Sequence, residues 1–356
     1  MKIAHVVDSM EVGGAETLVS QLCYLQREQG HTTSVLALAA LGDLGAQLRA
    51  DGFVVYPEIG RHLFPAAPNV LRLFQRLRPD VVHLHNPTPT IYAALPAWLA
   101  GAARIVSTRH SLVAPPHRIA QELKYAVAAR FCDWIVGVSD ATTANLRSLH
   151  TIPRRKLIRV YNGAVPLTRT PEELRPPKTG FTLVYVGRLQ PVKNHPLMLR
   201  AFQIALTSMP QLRLWMVGDG PERGMLEKLA TELGIASQVT FWGQQLDVAP
   251  FFSAADAFIM SSRSEGLPVS LLQAFSLGLP AIVTDVGGMA EVVRIAEAGL
   301  IVPPDDRAGM AEAILCMARR DTARIRLSQR ASAVFCSSLS LDIMAKNYVG
   351  LYGRAN

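Results

Sequence analysis

Short apolar runs alternate with longer segments in which apolar residues recur every three or four positions. The short runs are typical of buried strands and the longer spacing of helices with one buried face. In the N-terminal half, strands are predicted at Lys2–Val7, Thr33–Leu38, Val54–Tyr56, Val81–His85, Ile105–Ser107, Trp134–Val138 and Leu157–Val160. Helices are predicted at Ala15–Gln29, Asn69–Leu77 and Gln121–Phe131. This alternation favours a mainly parallel sheet with helices on both faces.

A proline-rich segment then interrupts the pattern. Residues 168–180 read TRTPEELRPPKTG and lack any apolar period, which predicts a linker. Beyond it, strands are predicted at Phe181–Val186, Leu212–Val217, Val239–Phe241, Ala257–Met260, Ala281–Val283 and Gly299–Val302. Helices are predicted at His195–Ser208, Glu222–Leu233, Pro268–Leu277, Arg307–Arg319 and, with weak amphipathicity, Ile343–Tyr352.

The chain of 356 residues is therefore expected to form two α/β domains, each a Rossmann-like, doubly wound sheet. The predicted N-terminal domain covers residues 1–167, the linker 168–180 and the C-terminal domain 181–340. Residues 341–356 form a last helix, for which a return to the N-terminal domain is an open option. Open α/β sheets bind ligands at the carboxyl ends of their strands, so we expect the two domains to face a ligand cleft.

Composition indicates where in the cell the protein is expected and which kinds of site the sequence does not predict. No apolar run approaches the ~20 residues of a membrane span, and the N-terminus lacks the apolar stretch of a signal peptide. A cytoplasmic location is expected, with the inner face of the membrane as an alternative. The four cysteines form no CxxC pair and predict neither a disulfide framework nor a metal site. Residues 1–167 hold 17 Lys/Arg against 11 Asp/Glu, which suits either an anionic partner or ordinary solvated arginines.

The segment 184–194, VYVGRLQPVKN, is the most informative stretch of the chain. A buried strand ends at Val186, Gly187 allows a tight turn, and the cations Arg188 and Lys193 follow. A helix begins immediately afterwards, and its free backbone N–H groups add positive potential. This arrangement is typical of a diphosphate site. The alternative is that Arg188 and Lys193 are two solvated surface cations.

A second stretch, residues 261–277, reads SSRSEGLPVSLLQAFSL. A strand delivers Glu265 to a loop, Gly266 permits close backbone approach, and Pro268 suits the first turn of a helix. Gln273 follows Glu265 by eight residues, about two helical turns, so both side chains could flank one ligand. The alternative is that Glu265 only favours the helix start and Gln273 lies on polar surface.

Taken in order, these stretches resemble the GT-B glycosyltransferases, specifically the retaining family 4. Ten short motifs, spread over nearly the whole chain, support the resemblance. They are VGGAE (12–16), DVVHLHN (80–86), STRHS (107–111), VGVSD (136–140), YNG (161–163), VGRLQPVKN (186–194), VGDGPER (217–223), FWG (241–243), SRSEGLP (262–268) and TDVGG (284–288).

The resemblance implies a role for each matching position. Arg188 and Lys193 would bind the donor diphosphate and offset the charge of the leaving nucleotide, as electrostatic catalysis requires. Glu265 would contact donor-sugar hydroxyls, with Lys193, Arg188 and His110 as the other catalytic residues. The remaining donor-binding positions implied are Gly13, Gly14, Gly218, Gly220, Gly266, Leu267, Pro268 and Gln273.

At Gln273 the sequence departs from the family, which has a second glutamate that holds the ribose hydroxyls. A carboxylate accepts from both hydroxyls, whereas an amide accepts at one atom and donates at the other. We therefore predict altered ribose binding without loss of function.

On the acceptor side, the implied residues are Glu16, His85, Asn86, Arg118 and Lys124. His110 follows a predicted strand at the expected cleft edge, where the family's matching histidine lies beside the reacting sugar. His83 and His85 alternate with apolar residues, and we expect one to pack inward and the other, His85, to face the cleft. No carboxylate or third ligand stands at regular spacing, so no metal site is predicted.

Two segments, 62–78 and 115–130, are basic and rich in apolar residues, a composition that suits contact with an anionic membrane surface. The alternative is that their apolar faces simply pack on the sheet.

The resemblance implies retaining, metal-independent transfer of a hexosyl unit from a UDP- or GDP-sugar to a sugar or lipid-linked glycan, as in polysaccharide, glycolipid or envelope synthesis. No cofactor and no nucleic-acid partner are expected. A GT-B sugar-nucleotide epimerase and a non-catalytic, two-lobed sugar-binding protein remain alternatives. A nicotinamide dehydrogenase is disfavoured because residues 12–16 do not form the GxGxxG fingerprint.

Overall fold

The computed structural model describes residues 1–57, 63–113 and 119–353. The chain divides into two compact units. The first unit comprises Met1–Gly163 together with the chain from Leu341 onwards, and the second comprises Ala164–Ser340.

The first unit, here the N-terminal unit, contains a seven-stranded parallel sheet in the order β3-β2-β1-β4-β5-β6-β7. Its strands are β1 (Lys2–Val7), β2 (Thr32–Ala37), β3 (Val54–Tyr56), β4 (Val81–His85), β5 (Arg104–Arg109), β6 (Trp134–Gly137) and β7 (Leu157–Arg159). Its helices are α1 (Gly14–Glu28), α2 (Gly42–Ala50), α3 (Leu63–Leu77), α4 (Pro87–Leu99), α5 (Ile119–Ala128), α6 (Asp140–Ser148) and the last helix of the chain, α14 (Leu341–Gly353).

The second unit, the C-terminal unit, contains a six-stranded parallel sheet in the order β10-β9-β8-β11-β12-β13. Its strands are β8 (Thr182–Val186), β9 (Arg213–Val217), β10 (Val239–Gly243), β11 (Ala257–Met260), β12 (Ala281–Thr284) and β13 (Gly299–Val302). Its helices are α7 (His195–Ser208), α8 (Arg223–Glu232), α9 (Ala249–Ala254), α10 (Val269–Ser276), α11 (Gly287–Ala296), α12 (Arg307–Arg319) and α13 (Asp321–Val334).

Both sheets confirm the predicted doubly wound, Rossmann-like class. In each sheet the strand order reverses beside the first strand. The connection that follows β1 therefore leads to one side of the sheet and the connection that follows β4 to the other, and the same holds for β8 and β11. Such a switch point opens a ligand site at the carboxyl ends of the two central strands. Strands β4, β8, β11 and β12 are buried at every position, as expected of parallel strands covered on both faces.

The segment predicted as a linker, residues 168–180, lies within the C-terminal unit. The Thr170 N–H donates to the Ser253 hydroxyl at 2.9 Å, and the Arg169 guanidinium donates to the Leu277 carbonyl at 3.1 Å. The polar composition that suggests a free linker therefore also suits a strap hydrogen-bonded to its own unit.

The last helix packs within the N-terminal unit. Buried Tyr348 and Tyr352 of α14 bond to Thr108 and His83, at 3.0 and 2.9 Å. Among the described residues, no helix is both long enough and apolar enough to cross a membrane.

Candidate active site

Two loops follow the central strands of the C-terminal sheet, residues 187–194 after β8 and 261–268 after β11. Lys193 of the first loop and Glu265 of the second form an ion pair, with the lysine 18% and the glutamate 12% exposed. The Ser262 hydroxyl donates to the same Glu265 oxygen at 2.9 Å. The Ser261 hydroxyl bonds to the carbonyls of Lys193 and Asn194, at 2.9 and 3.0 Å. A cation and a carboxylate are thus fixed together at the switch point.

Arg188 lies on the first of these loops with an exposed side chain. The Tyr185 hydroxyl donates to the Arg188 carbonyl at 3.0 Å and anchors the loop from below. Within residues 1–57, 63–113 and 119–353, the structure records no ion pair for Arg188. Its guanidinium is therefore available to an anionic group.

Gly218 and Gly220 allow a third loop, 218–222, to lie against the first. Gly218 has a φ of 132°, and a Cβ there would collide with the Gly187 carbonyl oxygen. A Cβ on Gly220 would collide with the backbone of Leu189. The Leu189 N–H also donates to the Asp219 carbonyl at 2.9 Å. These glycines are needed for close loop packing, whatever they contact in a ligand.

The other predicted donor-side positions surround the start of α10. The Gly266 carbonyl accepts from the Gly288 N–H at 2.7 Å, which ties this loop to the start of α11. Leu267 is buried and Pro268 directly precedes α10. Gln273 lies in the second turn of α10 and is partly buried.

His195 is a neighbour of this site that the sequence motifs did not single out. It is fully buried, its ring meets Tyr185 edge-on at 4.7 Å, and its Nδ1 lies 3.4 Å from a Glu222 carboxylate oxygen. Burial, and secondarily the charge of Lys193, lower its pKa to about 3. Because the imidazole is neutral, the positive charge of this loop resides on Arg188 and Lys193.

In the N-terminal unit, His85 and His110 meet at the carboxyl ends of β4 and β5. His85 is the last residue of β4, His110 directly follows β5, and His85 Nδ1 lies 3.1 Å from His110 Nε2. The Asn86 side-chain oxygen accepts from the His110 N–H at 3.0 Å. Asn86 has a φ of 74°, a conformation that asparagine tolerates better than most residues. His85, Asn86 and His110 are therefore brought together as one group.

The expectation that His83 and His85 point in different directions is wrong. Residues two apart on a strand share a face, and the two rings lie tilted by 31° with their centroids 4.1 Å apart, both buried. The strand register adds His5, which is paired with His83 across β1 and β4. His5 Nδ1 lies 3.1 Å from His85 Nε2. Sequence reasoning missed His5, whose only signal is an isolated histidine in the apolar run KIAHVV.

These imidazoles are uncharged at neutral pH. Burial lowers the pKa of His5 and of His110 to about 4, and the Gln26 and Asn162 side chains respectively oppose this shift. The pKa of His85 falls well below its usual value for the same reason. The group is thus suited to hydrogen bonding with neutral hydroxyls.

The ring nitrogens of His5, His83 and His85 lie within 4.8 Å of one another, close enough for a metal ion. Each of the six nitrogens nevertheless has a hydrogen-bond partner. His5 bonds to Gln26 and His85, His83 to Tyr352 and Thr108, and His85 to His5 and His110. We therefore interpret the cluster as a hydrogen-bonded network.

Gly13, Gly14 and Glu16 mark the start of α1, beyond the carboxyl end of β1. Gly13 is extended and precedes the helix, and Glu16 lies in its first turn. The Glu16 carboxylate bends back so that a Cβ on Gly13 would collide with it. Lys124 is exposed on α5. Arg118 lies outside the described residues.

Comparison with known proteins places the chain in a family. The profile of Glycosyltransferase Family 4 matches residues 12–166, and that of Glycosyl transferases group 1 matches residues 168–334. The lipopolysaccharide core biosynthesis glycosyltransferase LpsD of Rhizobium meliloti is 26% identical over 99% of this chain and 98% of its own length. LpsE of the same organism, similarly named, is 36% identical over 41% of this chain and 43% of its own length.

Among solved structures, HepE of Anabaena in complex with UDP-glucose aligns with a TM-score of 0.86 and 19% identity. The alignment covers 99% of both chains. The two profiles between them span almost the whole chain, and their boundary falls close to that between the two units. The chain belongs to the family 4, or group 1, glycosyltransferases with the GT-B fold.

Proposed function

We propose that this glycosyltransferase moves a hexosyl unit from a UDP- or GDP-sugar to an acceptor hydroxyl, with retention at the anomeric carbon. The observation that supports this most directly is the Lys193–Glu265 pair at the switch point of the C-terminal sheet. It places a cation for phosphate beside a carboxylate for sugar hydroxyls. Both are required by a donor that is charged at one end and neutral at the other.

The diphosphate is assigned to Arg188 and Lys193. Each charge-assisted hydrogen bond to phosphate contributes about 1.5–3 kcal/mol, and both cations would stabilise the leaving nucleotide as its bond to the sugar breaks. Arg188 is exposed and can form a bidentate contact. Lys193 would act as a point charge from its partly buried position. We expect these two cations to make added divalent metal unnecessary.

The sugar is assigned to Glu265 and to the backbone from Gly266 to Pro268. Glu265 is held by Lys193 and Ser262, so its carboxylate is oriented before a donor arrives. Gln273 is assigned to the ribose. Gly218 and Gly220 shape the neighbouring loop and would approach the diphosphate with their backbone.

The N-terminal unit is assigned to the acceptor and to the reacting end of the donor. His110 would hydrogen-bond a sugar hydroxyl, supported by His85 and Asn86. Gly13, Gly14 and Glu16, at the start of α1, lie at the same edge of the sheet. No protein nucleophile is assigned, because the leaving phosphate itself can take the proton of the acceptor hydroxyl on the same face.

The relatives support a nucleotide-sugar donor and a role in envelope glycan synthesis. HepE, a neighbour in fold, binds UDP-glucose, and LpsD and LpsE are named for lipopolysaccharide core biosynthesis. We infer that the acceptor is a glycan or glycolipid of the bacterial envelope, modified at the cytoplasmic face of the membrane.

The test is release of free nucleotide from a panel of UDP- and GDP-sugars, with and without glycan acceptors and with EDTA throughout. We expect one donor to release nucleotide faster when an acceptor is added, and NMR of the product to show the donor's anomeric configuration. Epimerised sugar nucleotide without acceptor would instead support an epimerase. Binding without turnover of any donor would support a sugar-binding protein.

The two segments considered for membrane contact differ in how exposed their apolar side chains are. In the described part of α3, Val70 and Phe74 are buried in the core. On α5, by contrast, Ile119, Leu123 and Val127 form an exposed stripe at four-residue spacing, 69%, 56% and 59% exposed. We therefore assign membrane contact to α5.

Charge supports an anionic surface as the partner of this stripe. Glu122, the one carboxylate of α5, is turned inward to a buried ion pair with Arg109 at 2.7 Å. Lys124 and Arg130 remain exposed. Basic residues beside an apolar stripe are typical of helices that bind anionic bilayers.

Co-sedimentation with phosphatidylglycerol and phosphatidylcholine vesicles tests the assignment. We expect binding to the anionic vesicles and its loss in Leu123→Asp. Ile325→Asp is the matched control, since Ile325 is 58% exposed but lies on α13 of the other unit. Equal binding by both variants would exclude the α5 stripe.

A further inference from the structure

A continuous chain of hydrogen bonds links the accessible His110 to the interior of the N-terminal unit. Gln26 Oε1 lies 2.9 Å from His5 Nε2, His5 Nδ1 lies 3.1 Å from His85 Nε2, and His85 Nδ1 lies 3.1 Å from His110 Nε2. Gln26, His5 and His85 are buried, whereas His110 is partly exposed. One side chain at the buried end can therefore influence the one that meets solvent.

The positions of the protons follow from the buried end. An amide oxygen only accepts, so His5 Nε2 must carry the hydrogen of that bond. A neutral imidazole carries a single N–H, which leaves His5 Nδ1 as an acceptor and requires a hydrogen on His85 Nε2. The same step repeated leaves His85 Nδ1 as an acceptor and requires a hydrogen on His110 Nε2.

The orientation of the Gln26 amide decides the direction of the whole chain. The reverse orientation, with the amide nitrogen towards His5, would place every proton on the opposite ring nitrogen. In the structure the amide oxygen, Gln26 Oε1, faces His5 Nε2.

We propose that Gln26, His5 and His85 are positioning residues that hold His110 in the Nε2–H tautomer, with Nδ1 left as a hydrogen-bond acceptor. The functional consequence rests on the proposed transferase function. His110 Nδ1 is buried and has no hydrogen-bond partner among the described residues, and in this tautomer it can only accept a hydrogen bond from a group brought against it, such as a sugar hydroxyl. Hydroxyl groups, which donate as well as accept, are suitable partners.

His83 provides an internal comparison. Its ring lies 4.1 Å from that of His85, yet its nitrogens bond to the hydroxyls of Tyr352 and Thr108, outside the chain of four. Hydroxyls can reverse their role, so this branch does not fix a tautomer. Tyr348 bonds to Thr108 at 3.0 Å on the same branch. A Tyr348→Phe variant therefore disturbs the same buried region but leaves the hydrogen bonds from Gln26 to His110 intact.

The test is long-range ¹H–¹⁵N NMR of the full chain labelled with ¹⁵N-histidine, with the His110 signals assigned from a His110→Gln variant. We expect a protonated Nε2 and an unprotonated Nδ1 for His110. Gln26→Met removes the acceptor at similar length and should mix the two tautomers, whereas Tyr348→Phe should leave the signals unchanged. A protonated Nδ1 in the wild-type protein would overturn the proposal, as would an unchanged His110 tautomer in a folded Gln26→Met variant.

Activity gives a second readout. Loss of the hydrogen-bond partner behind a metal-ligating histidine typically costs 10–100-fold, and by analogy we expect kcat of Gln26→Met to fall about 10-fold, with donor KM changed less. If Gln26→Met alters the His110 signals but keeps the wild-type kcat, the His110 tautomer does not affect turnover, and the functional part of the proposal is wrong. The NMR result does not require turnover. Failure of the proposed transferase function would therefore appear as absent transfer with the Nε2–H tautomer intact.

Discussion

Neutral imidazoles meet at the switch point of the N-terminal sheet, where the neighbouring Arg109 is buried and paired with Glu122. The switch point of the C-terminal sheet holds the partly exposed Lys193–Glu265 pair and, on the same loop as Lys193, the exposed Arg188. The two sheets have the same order around their first strand, and their switch points lie at equivalent places. At one, His85 and His110 are hydrogen-bonded to each other. At the other, Lys193 is paired with Glu265.

This difference shows how one architecture is adapted to two kinds of ligand group. A diphosphate requires fixed positive charge, and the C-terminal edge supplies it from a loop that precedes a helix. A sugar hydroxyl can bind to neutral donors and acceptors, and burial keeps the histidines of the N-terminal edge uncharged. The proposed division into a donor unit and an acceptor unit follows from these local charges.

The largest effect is expected when the ionic edge loses its cation. Lys193→Met keeps an unbranched stem but removes the charge that we assign to the leaving phosphate. We expect kcat to fall about 10²–10³-fold, the range for removal of one stabilising group from a transition state. Steady-state kinetics with the preferred nucleotide sugar, with circular dichroism as the check on folding, measure this effect.

Lys178→Met is the matched control. Lys178 also pairs with a carboxylate, Asp256 at 2.8 Å, but this pair lies at the amino end of β11, whereas Glu265 follows its carboxyl end. Partly exposed pairs contribute little, so kcat should stay within about 2-fold of wild type. Similar losses in both variants would show that Lys193 matters for stability and not for the leaving group.

The strands were predictable because buried parallel strands are continuous apolar runs. Each of the thirteen strands in the described ranges overlaps a predicted one, and β1, β3, β4, β11 and β13 match to the residue. Helix α4 was missed because it contains prolines at positions 87, 89 and 96, which ordinarily argue against a helix. Helix α13 was missed because it buries only Ala331 and so lacks a clear apolar period.

The two edges differ in how far sequence could predict them. Lys193 and Glu265 were each named from their motifs, but their contact depends on β8 lying beside β11, which local pattern does not fix. The histidine chain depends still more on non-local register. His5 is adjacent to His83 only because β1 pairs with β4, and His85 is level with Thr108 only because β4 pairs with β5.

A smaller effect is expected on stability: the two units should differ in how their stability depends on pH. A histidine that is neutral when folded binds fewer protons than in the unfolded chain, so stability falls as pH drops from its unfolded pKa of ~6.5 towards its folded value. For His5, whose folded pKa is about 4, stability is lost as the pH falls from about 6.5 to about 4. His83, His85 and His110 act in the same direction.

Hydrogen exchange measured between pH 7 and pH 5, corrected for intrinsic rates, checks this prediction. Amides of β1, β4 and β5 should lose protection before those of β8, β11 and β12. The C-terminal unit has one such strongly shifted histidine, His195, among the described residues. Equal loss of protection in both units would contradict the proposed contrast.

The smallest effect is expected at Gln273, where the ionic edge itself departs from the family. Gln273→Glu restores a carboxylate that can accept from both ribose hydroxyls. The gain of a charged acceptor over a neutral one is about 1 kcal/mol, so donor KM should fall about 5-fold with kcat changed less than about 2-fold. Kinetics with the preferred donor measure this, and Gln211→Glu, at an exposed position before β9, controls for added negative charge. If Gln273→Glu leaves the donor KM unchanged, Gln273 does not contact the ribose, and the departure from the family motif has no consequence for donor binding.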